Sequence, residues 1–517
     1  MKKVILTMTI LLATVLCLQA QKMTVENVYK ASPRNAAAIR EGSDVKGYYF
    51  FFISDKIDKK TNEYTLRITD NALKVLKDIK FQDSKHVAIL ESSFNGTDLV
   101  FLLYNDDERT FEYQIYGADG KKKFSYNRQL TKKEERFLEA TYLGQDEEDE
   151  VYKGLYPIEG KGFISVMPSR EDKDYTFQVD YFGTEKRKQW TYTPTEGGKR
   201  FSGDFLGCYN GTVFIEVLRF GGAFDQKPDS YILGLSLETG KLLFEKPTDS
   251  KFRFYPASMS LINEGKAYLY GEYFDVNDNI MKDKSKGFAF WNVDEKGKVL
   301  NEKYVSWDVD MGKYLDVTSK GKIADFGFMY LHQIVQMSDG KIYAIGEGFK
   351  KVASALGIAS TLLSGGRGGR ASVTKIKITD LVILTFDQDF NIKAARMYDK
   401  NSNNIELPGG FDFMSTPLLG KMLKYQYGGF DYDYTQTNKD LTSFSVFYSD
   451  FVKEKGSYKG GTFNSISYAD GKFTTDRINT KSDAKFSAIY PGSQGQVLIM
   501  DYYKKDKKLE MHIEKMN

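Results

Sequence analysis

Short runs of alternating apolar and polar residues, separated by tight turns, recur along the whole chain. In the clearest copy, an Asn210-Gly211 turn leads into residues 212–217, and a second glycine turn separates residues 230–237 from residues 241–244. Asn-Gly between apolar runs predicts a two-residue hairpin, because both central residues of a type I′ turn need a positive φ. Each copy is therefore predicted to be a meander of four short strands, a to d, with the Asn-Gly turn between strands a and b.

This unit of strands and turns can be counted about eight times along the sequence. The b strands are predicted near Tyr48, Leu99, Phe163, Val213, Ala267, Ile342, Phe444 and Val497. Repeats of four short strands are typical of β-propeller blades, since a single blade cannot bury its own faces. We therefore predict an all-β propeller of about eight four-stranded blades. Seven blades with a divergent end, or two smaller β domains, are the alternatives.

The last unit predicts how the ring closes. It has strand-like runs at residues 486–490, 496–502 and 508–514, and the chain then stops without a fourth run. Residues 23–29 have a suitable pattern to supply the missing strand. The first and last parts of the chain are therefore predicted to share one blade.

Turn lengths predict that the two faces of the ring differ. The a–b and c–d turns are tight, whereas the b–c and d–a connections are long, as at residues 273–286, 304–327 and 399–420. In an up-and-down blade the b–c and d–a connections lie on the same face. Long loops on a rigid scaffold are where binding and catalysis concentrate, so this face is the predicted site.

The b–c connection of the sixth unit is predicted to carry an insertion at residues 350–373. Apolar residues recur there at helical spacing, at Val352, Leu356, Ala359 and Leu363. We predict a short amphipathic helix over residues 350–363, followed by a basic glycine-rich tether, which closes over the channel as a lid or docks a partner. Its candidate binding residues are Lys351, Leu356, Arg367 and Arg370. Residues 131–140 form the other window with a helical pattern.

Two of the three histidines in the chain, His86 and His332, each stand at the start of a predicted a strand. This position predicts that both lie on the long-loop face, at the mouth of the central channel. Two converging histidines suit a metal site or a general base. The alternative is a pair of hydrogen-bonded structural histidines far apart in the ring, since units two and six are not neighbours.

A repeated carboxylate is the main candidate for catalysis. Residues 265–274 match residues 340–349 position by position, which places Glu272 and Glu347 at the ends of b strands in adjacent units. Two carboxylates a few ångströms apart serve as acid and base in glycoside hydrolysis. The alternative is a repeated structural position at which the carboxylate caps a strand.

Residues 275–279 resemble the oxygen-rich start of a calcium-binding loop through Asp275, Asn277 and Asn279. The sequence departs from the EF-hand pattern, because Ile280 replaces the required glycine and a lysine replaces the bidentate glutamate. An irregular calcium loop and an ordinary Asn/Asp turn are the two interpretations. No dedicated metal site and no cofactor is predicted from any other motif.

Tyr432 and Tyr434 alternate with aspartates within residues 428–434. Exposed tyrosines between carboxylates suit stacking against sugar rings. The same pattern fits an edge strand, so glycan binding and a structural role are both open.

The first 20 residues have the pattern of a secretory signal peptide, with a basic start, the apolar residues 4–18 and the small residue Ala20 at the cleavage site. Its removal leaves Cys208 as the single cysteine, so no intrachain disulfide is expected. No later segment reaches the ~18 apolar residues of a membrane helix. We therefore expect residues 21–517 to form one propeller domain that is exported to the periplasm, the outer surface or the medium.

The charge balance argues against one class of partner. Without the predicted signal peptide the chain has 71 Lys and Arg residues (73 less Lys2 and Lys3) against 70 Asp and Glu residues, a net charge of +1. Nucleic-acid binding needs a dominant basic surface, so it is not expected.

The pattern of strands and turns over about residues 47–516 resembles that of secreted bacterial β-propeller proteins of uncharacterised function. The resemblance rests on periodicity alone, so it implies no functional residues. Because no catalytic motif accompanies it, we predict a binding or assembly protein of the cell envelope that engages a protein partner or a glycan through the long-loop face. The alternative is a hydrolase or lyase acting on an envelope polymer, with Glu272 and Glu347 as acid and base. The ligand and the oligomeric state stay open.

Overall fold

The computed structural model describes residues 21–139, 153–171, 174–185, 188–222, 225, 227–353, 371–408, 414–454, 457–480 and 483–516. The predicted signal peptide lies outside the described residues, as do the candidate binding residues Leu356, Arg367 and Arg370. Within the described ranges, no helix is both long and apolar enough to cross a membrane.

The described residues form eight antiparallel sheets, and each contains four strands in the order a-b-c-d. These sheets are the blades of a propeller, so the prediction of eight blades is confirmed. Strand β1 (Lys22–Glu26) is the d strand of blade 8, as described below. Blades 1 to 4 are formed by β2 (Ala36–Glu41), β3 (Asp44–Lys56), β4 (Thr61–Asp70) and β5 (Val75–Ser84); β6 (Val87–Phe94), β7 (Asp98–Asn105), β8 (Thr110–Gly117) and β9 (Lys122–Gln129); β10 (Leu155–Ile158), β11 (Gly162–Glu171), β12 (Asp174–Gly183) and β13 (Gln189–Tyr192); and β14 (Arg200–Tyr209), β15 (Thr212–Phe220), β16 (Asp229–Ser236) and β17 (Leu242–Pro247).

The second half of the ring follows the same scheme. Blade 6 has a fifth strand, β26, which pairs with its c strand β24. Blades 5 to 8 are formed by β18 (Arg253–Ile262), β19 (Lys266–Phe274), β20 (Gly287–Val293) and β21 (Val299–Ser306); β22 (Phe328–Gln336), β23 (Ile342–Ala353), β24 (Ala371–Phe386), β25 (Ile392–Tyr398) and β26 (Asn403–Pro408); β27 (Tyr432–Thr437), β28 (Ser443–Glu454), β29 (Ser457–Ala469) and β30 (Lys472–Asn479); and β31 (Phe486–Pro491), β32 (Gln496–Tyr503), β33 (Lys508–Lys515) and β1. Within the part of the chain that the structure describes, short 3-10 helices occur at Pro33–Asn35 and Met311–Lys313.

The Asn210-Gly211 hairpin turn has the expected backbone geometry. Asn210 and Gly211, between β14 and β15, have φ values of 46° and 79°. Both residues are therefore in the left-handed region that a type I′ turn requires. The turn is consistent with local sequence setting the pairing of strands a and b in this blade.

Blade 8 combines the two ends of the described chain. Strand β1 pairs with β33 over the register Lys22↔His512 to Glu26↔Lys508, which confirms the predicted closure. Side chains reinforce the seam, since the Tyr490 hydroxyl donates to the Pro33 carbonyl at 2.9 Å. The ring is thus closed by hydrogen bonds between distant parts of the sequence.

The core lies between neighbouring blades, where strands b and c are covered on both faces. In blade 2, every residue of β7 except the last is buried. The Phe101 ring packs against Tyr49 and Phe51 of blade 1, with centroids 5.6 and 4.6 Å away. A polar side chain on a buried b strand must therefore find its own partner, because desolvation without a hydrogen bond is costly.

Two α-helices lie within the described residues, in connections between blades. Helix α1 (Lys132–Leu138) confirms the helical prediction for residues 131–140. Thr131 and Glu134 form a capping box, in which each side chain accepts a hydrogen bond from the backbone N–H of the other residue. Helix α2 (Thr416–Tyr425) lies between β26 and β27, where the sequence pattern predicts only a loop.

The predicted helix over residues 350–363 is wrong for the part that the structure describes. Residues up to Ala353 continue strand β23, and Val352 pairs with Lys375 of β24. Hydrogen bonding to β24 stabilises an extended conformation here. The four described residues of the predicted helix are too few for the spacing of their apolar side chains to favour a helix. Residues 354–363 of the predicted helix lie outside the described residues.

Candidate functional site

Helix α2 lies on the long-loop face, because it belongs to the d–a connection between blades 6 and 7. Its residue Leu418 joins a buried cluster with Leu218 of blade 4 and Tyr255 of blade 5. Leu419 joins a second cluster that includes Tyr330 of blade 6. The helix therefore packs against three successive blades. The lid predicted at residues 350–373 is a different segment, and residues 354–370 of it lie outside the described residues.

Lys421 fixes helix α2 to blade 4. Its ammonium group lies 2.6 Å from the Asp204 carboxylate and 3.2 Å from the Glu216 carboxylate, and the Tyr255 hydroxyl is 3.4 Å away. Burial opposes the charge of Lys421, but the two carboxylates outweigh it and hold its pKa well above the ordinary value. Burial raises the pKa of Glu216 to about 7, although Lys421 acts in the opposite direction.

A second buried cluster joins blade 6 to blade 7 around Glu347. Lys400 Nζ lies 3.1 Å from Glu347 Oε1 and also contacts the Asp431 carboxylate. Glu347 accepts hydrogen bonds from the backbone N–H groups of Asp431 and Tyr432, both at 3.1 Å. His332 Nε2 lies 3.2 Å from Glu347 Oε2. The side chains of Lys400 and Glu347 have no exposed surface, so this ion pair is sealed from solvent, whereas the Asp431 side chain keeps 15% of its surface exposed.

Burial dominates the protonation of this cluster. It raises the pKa of Glu347, and the charge of Lys400 only partly offsets it. Burial, followed by the charges of Lys424 and Lys400, holds the pKa of His332 well below its usual range. His332 is therefore neutral at physiological pH and is held in place by a carboxylate that solvent does not reach.

Glu272 occupies the matching b-strand position in blade 5. The Ser285 hydroxyl donates a short hydrogen bond to its carboxylate. Burial raises the pKa of Glu272 to about 8, against the lowering effects of Ser285 and Lys284. Glu272 also borders a small cavity of about 20 Å³ together with Pro417 of helix α2.

Three successive blades thus carry a buried glutamate on strand b: Glu216, Glu272 and Glu347. The sequence repeat identified the second and third. The first stands five residues after the turn glycine Gly211, whereas the other two stand seven residues after Gly265 and Gly340, so the sequence repeat does not include it. Each of the three glutamates has its own set of hydrogen-bonding or charged partners.

The structure gives no support to Glu272 and Glu347 as an acid/base pair. Their hydrogen-bond partners are different, and the cavity that Glu272 borders is not lined by Glu347. A cavity of about 20 Å³ holds at most a water molecule. These contacts are those of structural carboxylates, which was the alternative reading of the repeat.

The two predicted histidines have separate surroundings. His332 stacks on Tyr432, with ring centroids 4.4 Å apart, inside the cluster around Glu347. The half-buried His86 instead faces Asp106, with His86 Nδ1 2.8 Å from Asp106 Oδ1, and Asp107, with Nε2 3.5 Å from Oδ2. None of the contacts of one histidine is shared by the other.

The remaining candidate binding residues have structural partners where they are described. Tyr434 stacks on Phe447, with ring centroids 4.6 Å apart, and Tyr432 stacks on His332, so one face of each ring is covered. Lys351 donates to the Met414 carbonyl at 3.1 Å, next to the start of helix α2. Its observed contact therefore positions the helix.

In the candidate calcium loop, residues 275–279, oxygen atoms interact with neighbouring groups of the protein. Asp275 pairs with Lys286 at 2.9 Å, and Asn279 accepts a hydrogen bond from the Met281 N–H. The Asn277 carbonyl accepts from Lys227. The interpretation as an ordinary Asn/Asp turn accounts for these contacts.

Another candidate binding site lies elsewhere on the long-loop face. A cavity of about 720 Å³ opens between blades 1 and 2, within the ordinary range for ligand pockets of about 300–1,000 Å³. Its walls are the β1–β2 connection, the b–c connection of blade 1, the start of blade 2 and Lys504 of blade 8. We call this site the seam cavity, because the β1–β2 connection continues from the strand that closes the ring.

The seam cavity has an apolar floor and a charged rim. Phe51 and Ile53 of β3 and Val87 and Ile89 of β6 provide the floor. The rim carries His86 and a set of charged side chains: Lys30, Lys56, Asp58, Lys59, Lys85, Asp106 and Lys504. His86, Asp106 and Asp107 are also the group of described side chains whose nitrogen and oxygen atoms lie close enough, within 4.8 Å, to share a metal ion.

Sequence reasoning found His86 but missed the rest of the seam cavity. Its lysines stand in four separate connections, each of which looks like an ordinary solvated loop. A signal for helix α2 was present, since Ser415 precedes Thr416 and Pro417. Serine before a proline in the first turn is a helix-start pattern.

Solved structures with a similar arrangement of strands are known. The β-propeller domain of Nup133 from Vanderwaltozyma polyspora is 10% identical, with a TM-score of 0.38, over 89% of this chain and 98% of that domain. Prolyl oligopeptidase B from Galerina marginata is 11% identical, with a TM-score of 0.38, over 92% of this chain. The chain spans 56% of the length of that enzyme.

No curated protein matches the sequence. The propeller domain of the Trilobed protease from Pyrococcus furiosus, described as having an open velcro topology, is a third similar structure, 12% identical with a TM-score of 0.30 over 71% of this chain and 97% of that domain. A family model matches residues 1–517, and the chain therefore belongs to DUF6770, a family of unknown function.

Proposed function

We propose that this chain is an exported, non-enzymatic binding protein that engages a protein partner through the long-loop face, with the seam cavity as its binding site. The observation that carries the proposal is the cavity itself. It is large, opens on the loop-rich face, and combines an apolar floor with a charged rim. Pockets of this composition are typical of ligand sites on rigid scaffolds.

The contacts of the carboxylates favour binding over catalysis. Glu216, Glu272 and Glu347 are buried and engaged by their own partners, whereas the seam cavity lies between blades 1 and 2. A hydrolytic mechanism needs two carboxylates around a common substrate. Because none of these three glutamates lines the seam cavity, we propose binding rather than hydrolysis as the function.

A protein partner fits the site better than a glycan does. Stacking of a sugar needs an exposed aromatic face, and Tyr432 and Tyr434 each already stack one face on a neighbouring ring. In the seam cavity, Tyr29 has the ammonium groups of Lys56 and Lys507 over its ring, 4.4 and 4.6 Å from the centroid. A sugar that stacked on a lysine-covered face of Tyr29 would have to displace that lysine.

The export part of the proposal depends on the N-terminal pattern. Residues 1–20 combine a basic start, an apolar stretch and small residues at a cleavage site. Mass determination of the mature protein from the producing cells tests it, with an N terminus at Gln21 as the expected result. A mature chain that still begins at Met1 would overturn this part.

Site-specific photocross-linking tests the binding face. A photoreactive amino acid replaces Lys59 or Lys85 at the cavity rim, or the exposed Lys121 or Lys296 in tight turns on the opposite face. We expect a discrete cross-linked protein only from the rim positions, identified by mass spectrometry. Equal cross-linking from both faces, or a product that is a glycan, would contradict the proposal.

A further inference from the structure

The seam cavity has two chemically different parts, and together they define a class of ligand. Its deep part is built by side chains from two blades, Phe51 and Ile53 on one side and Val87 and Ile89 on the other. These residues are large and apolar and lie at the edge of the inter-blade core. The floor therefore favours an apolar group of the ligand, because contact removes apolar surface from water.

The rim has an excess of positive charge. Five lysines (Lys30, Lys56, Lys59, Lys85 and Lys504) line it against two aspartates (Asp58 and Asp106), a balance of +3 without His86. A concave site lined mainly by one sign of charge attracts ligands of the opposite sign.

Both aspartates of the rim are already engaged. The Asp58 carboxylate accepts hydrogen bonds from the backbone N–H groups of Lys60 and Thr61, at 2.7 and 2.9 Å, so it shapes the loop that carries Lys56 and Lys59. Asp106 pairs with His86 at 2.8 Å. The two carboxylates thus have local partners, and the five lysines give the rim its net positive charge.

From this arrangement we infer that the seam cavity binds an organic anion with an apolar body, its carboxylate or sulfonate at the lysine rim and its apolar part on the floor. The inference rests on the proposed function and specifies the ligand of the same site. An acidic partner segment with an apolar side chain and a free amphiphilic acid share this chemistry. A neutral ligand of the same shape lacks the favourable interaction with the rim.

Two fluorescent probes of similar shape test the charge. Anilinonaphthalene sulfonate is an aromatic anion, and N-phenyl-1-naphthylamine is its uncharged counterpart. We expect saturable binding of the sulfonate by the mature protein, with a dissociation constant about tenfold or more below that of the amine. Raising the salt concentration from 0.05 to 0.5 M, values chosen to change screening strongly, should reduce this difference.

Charge reversal at exposed positions provides the matched variants. The double variant Lys59→Glu, Lys85→Glu should weaken sulfonate binding at least about tenfold and leave amine binding within about twofold, because only the anion interacts strongly with the rim. The control variant Lys121→Glu, Lys296→Glu carries the same charge change on the tight-turn face and should bind as the parent does. Equal binding of the two probes, with no effect of rim reversal, would overturn the inference.

Filling the cavity separates this inference from the proposed function. Ile89→Trp, or Val87→Phe if the first variant loses its cooperative unfolding transition, enlarges a side chain of the floor itself. If both probes bind alike to the parent and both are lost on filling, the cavity is a binding site without a preference for anions. If filling changes neither probe, or neither probe binds saturably, the inference fails, and the photocross-linking pattern decides the proposed function separately.

Displacement of the bound sulfonate identifies the source of the anion. Decanoate represents a free amphiphilic acid, and a short peptide of alternating glutamate and phenylalanine represents an acidic partner segment. Decanol and the glutamine version of the peptide are the neutral controls. Displacement by either anion at a concentration at least about tenfold below that of its neutral control supports the inference, whereas equal displacement by acids and neutral controls contradicts it.

Discussion

The long-loop face has two contrasting regions. In the plugged region, formed by helix α2 and blades 4 to 6, the carboxylates of Glu216, Glu272 and Glu347 are buried and matched by their own partners. In the open region, the seam cavity between blades 1 and 2, lysines and His86 surround a space of about 720 Å³. The three buried glutamates lie in the first region, and the cavity of about 720 Å³ lies in the second.

This difference shows how a shifted pKa should be interpreted in this protein. Perturbed titratable groups are often used to locate active sites, but burial alone is enough to produce the shift. Burial is the largest cause for each of the three glutamates. A carboxylate whose pKa is raised by burial, and which borders no cavity of substrate size, has a structural role. The three glutamates of the plugged region fit this description.

The largest expected effect comes from removing the cation of the cluster around Glu347. Lys400→Met leaves Glu347 and Asp431 buried without their shared ammonium group. Breaking a buried ion pair from one side costs about 3–5 kcal/mol, so we expect a loss of this size in the free energy of unfolding, measured by urea denaturation. Adding Glu347→Gln should recover part of the loss, and a loss below about 1 kcal/mol for the single variant would show that water reaches the cluster.

A pH effect is expected at Glu272. Its pKa of about 8 in the folded protein lies above the ordinary glutamate value, so the folded state keeps a proton that the unfolded state has already released. This group therefore reduces stability as the pH rises from about 5 to 8, by about 1.4 kcal/mol per pH unit in the middle of the range. Glu272→Gln removes this contribution, so its stability relative to the parent should rise with pH. Parallel pH profiles of the two proteins, from urea denaturation, would contradict the expectation.

A smaller effect is expected at the anchor of helix α2. Lys421→Met removes the ion pairs with Asp204 and Glu216, but the Asp204 side chain keeps 36% of its surface exposed and can be rehydrated. We expect a loss of about 2 kcal/mol, below that of a fully sealed pair. Hydrogen exchange should locate the effect in residues 416–425. Exchange that increases equally in all blades would mean that the helix is not a separate unit.

The smallest effect on stability is expected in the open region. His86→Ala removes the contacts with Asp106 and Asp107, whose side chains are 58% and 65% exposed. Exposed ion pairs contribute about 0–1 kcal/mol, so the urea midpoint should hardly change. A loss as large as that of Lys400→Met would remove the contrast between the two regions.

The ring could be predicted from sequence because its signals are local. Turns such as Asn210-Gly211 set individual hairpins, and eight repetitions of the same signal imply eight blades. The pairing of β1 with β33 followed from one missing strand in the last unit. The repeat that contains Glu272 and Glu347 was also visible, because both stand at one position of matching segments.

The site could not be predicted in the same way, because its contacts are not local. The hydrogen bond from Lys421 to Glu216 joins residues 205 positions apart, and no spacing along the chain indicates it. Helix α2 has a short apolar pattern interrupted by Gly420, which made it look like a loop. The lysines of the seam cavity come together only after blades 8, 1 and 2 have assembled.

The seam between β1 and β33 also controls when the ring is complete. The Tyr502 hydroxyl donates to the Tyr29 carbonyl across 473 positions of the sequence. At a synthesis rate of about 5–20 residues per second, the earlier residue is made roughly 25 to 95 seconds before its partner. During that interval strand β1 has no partner strand, because β33 has not been made. The β1–β2 connection, which lines the seam cavity, is not yet anchored by that pairing either. Binding competence is expected to appear only once translation has passed the final blade, however early the others have folded.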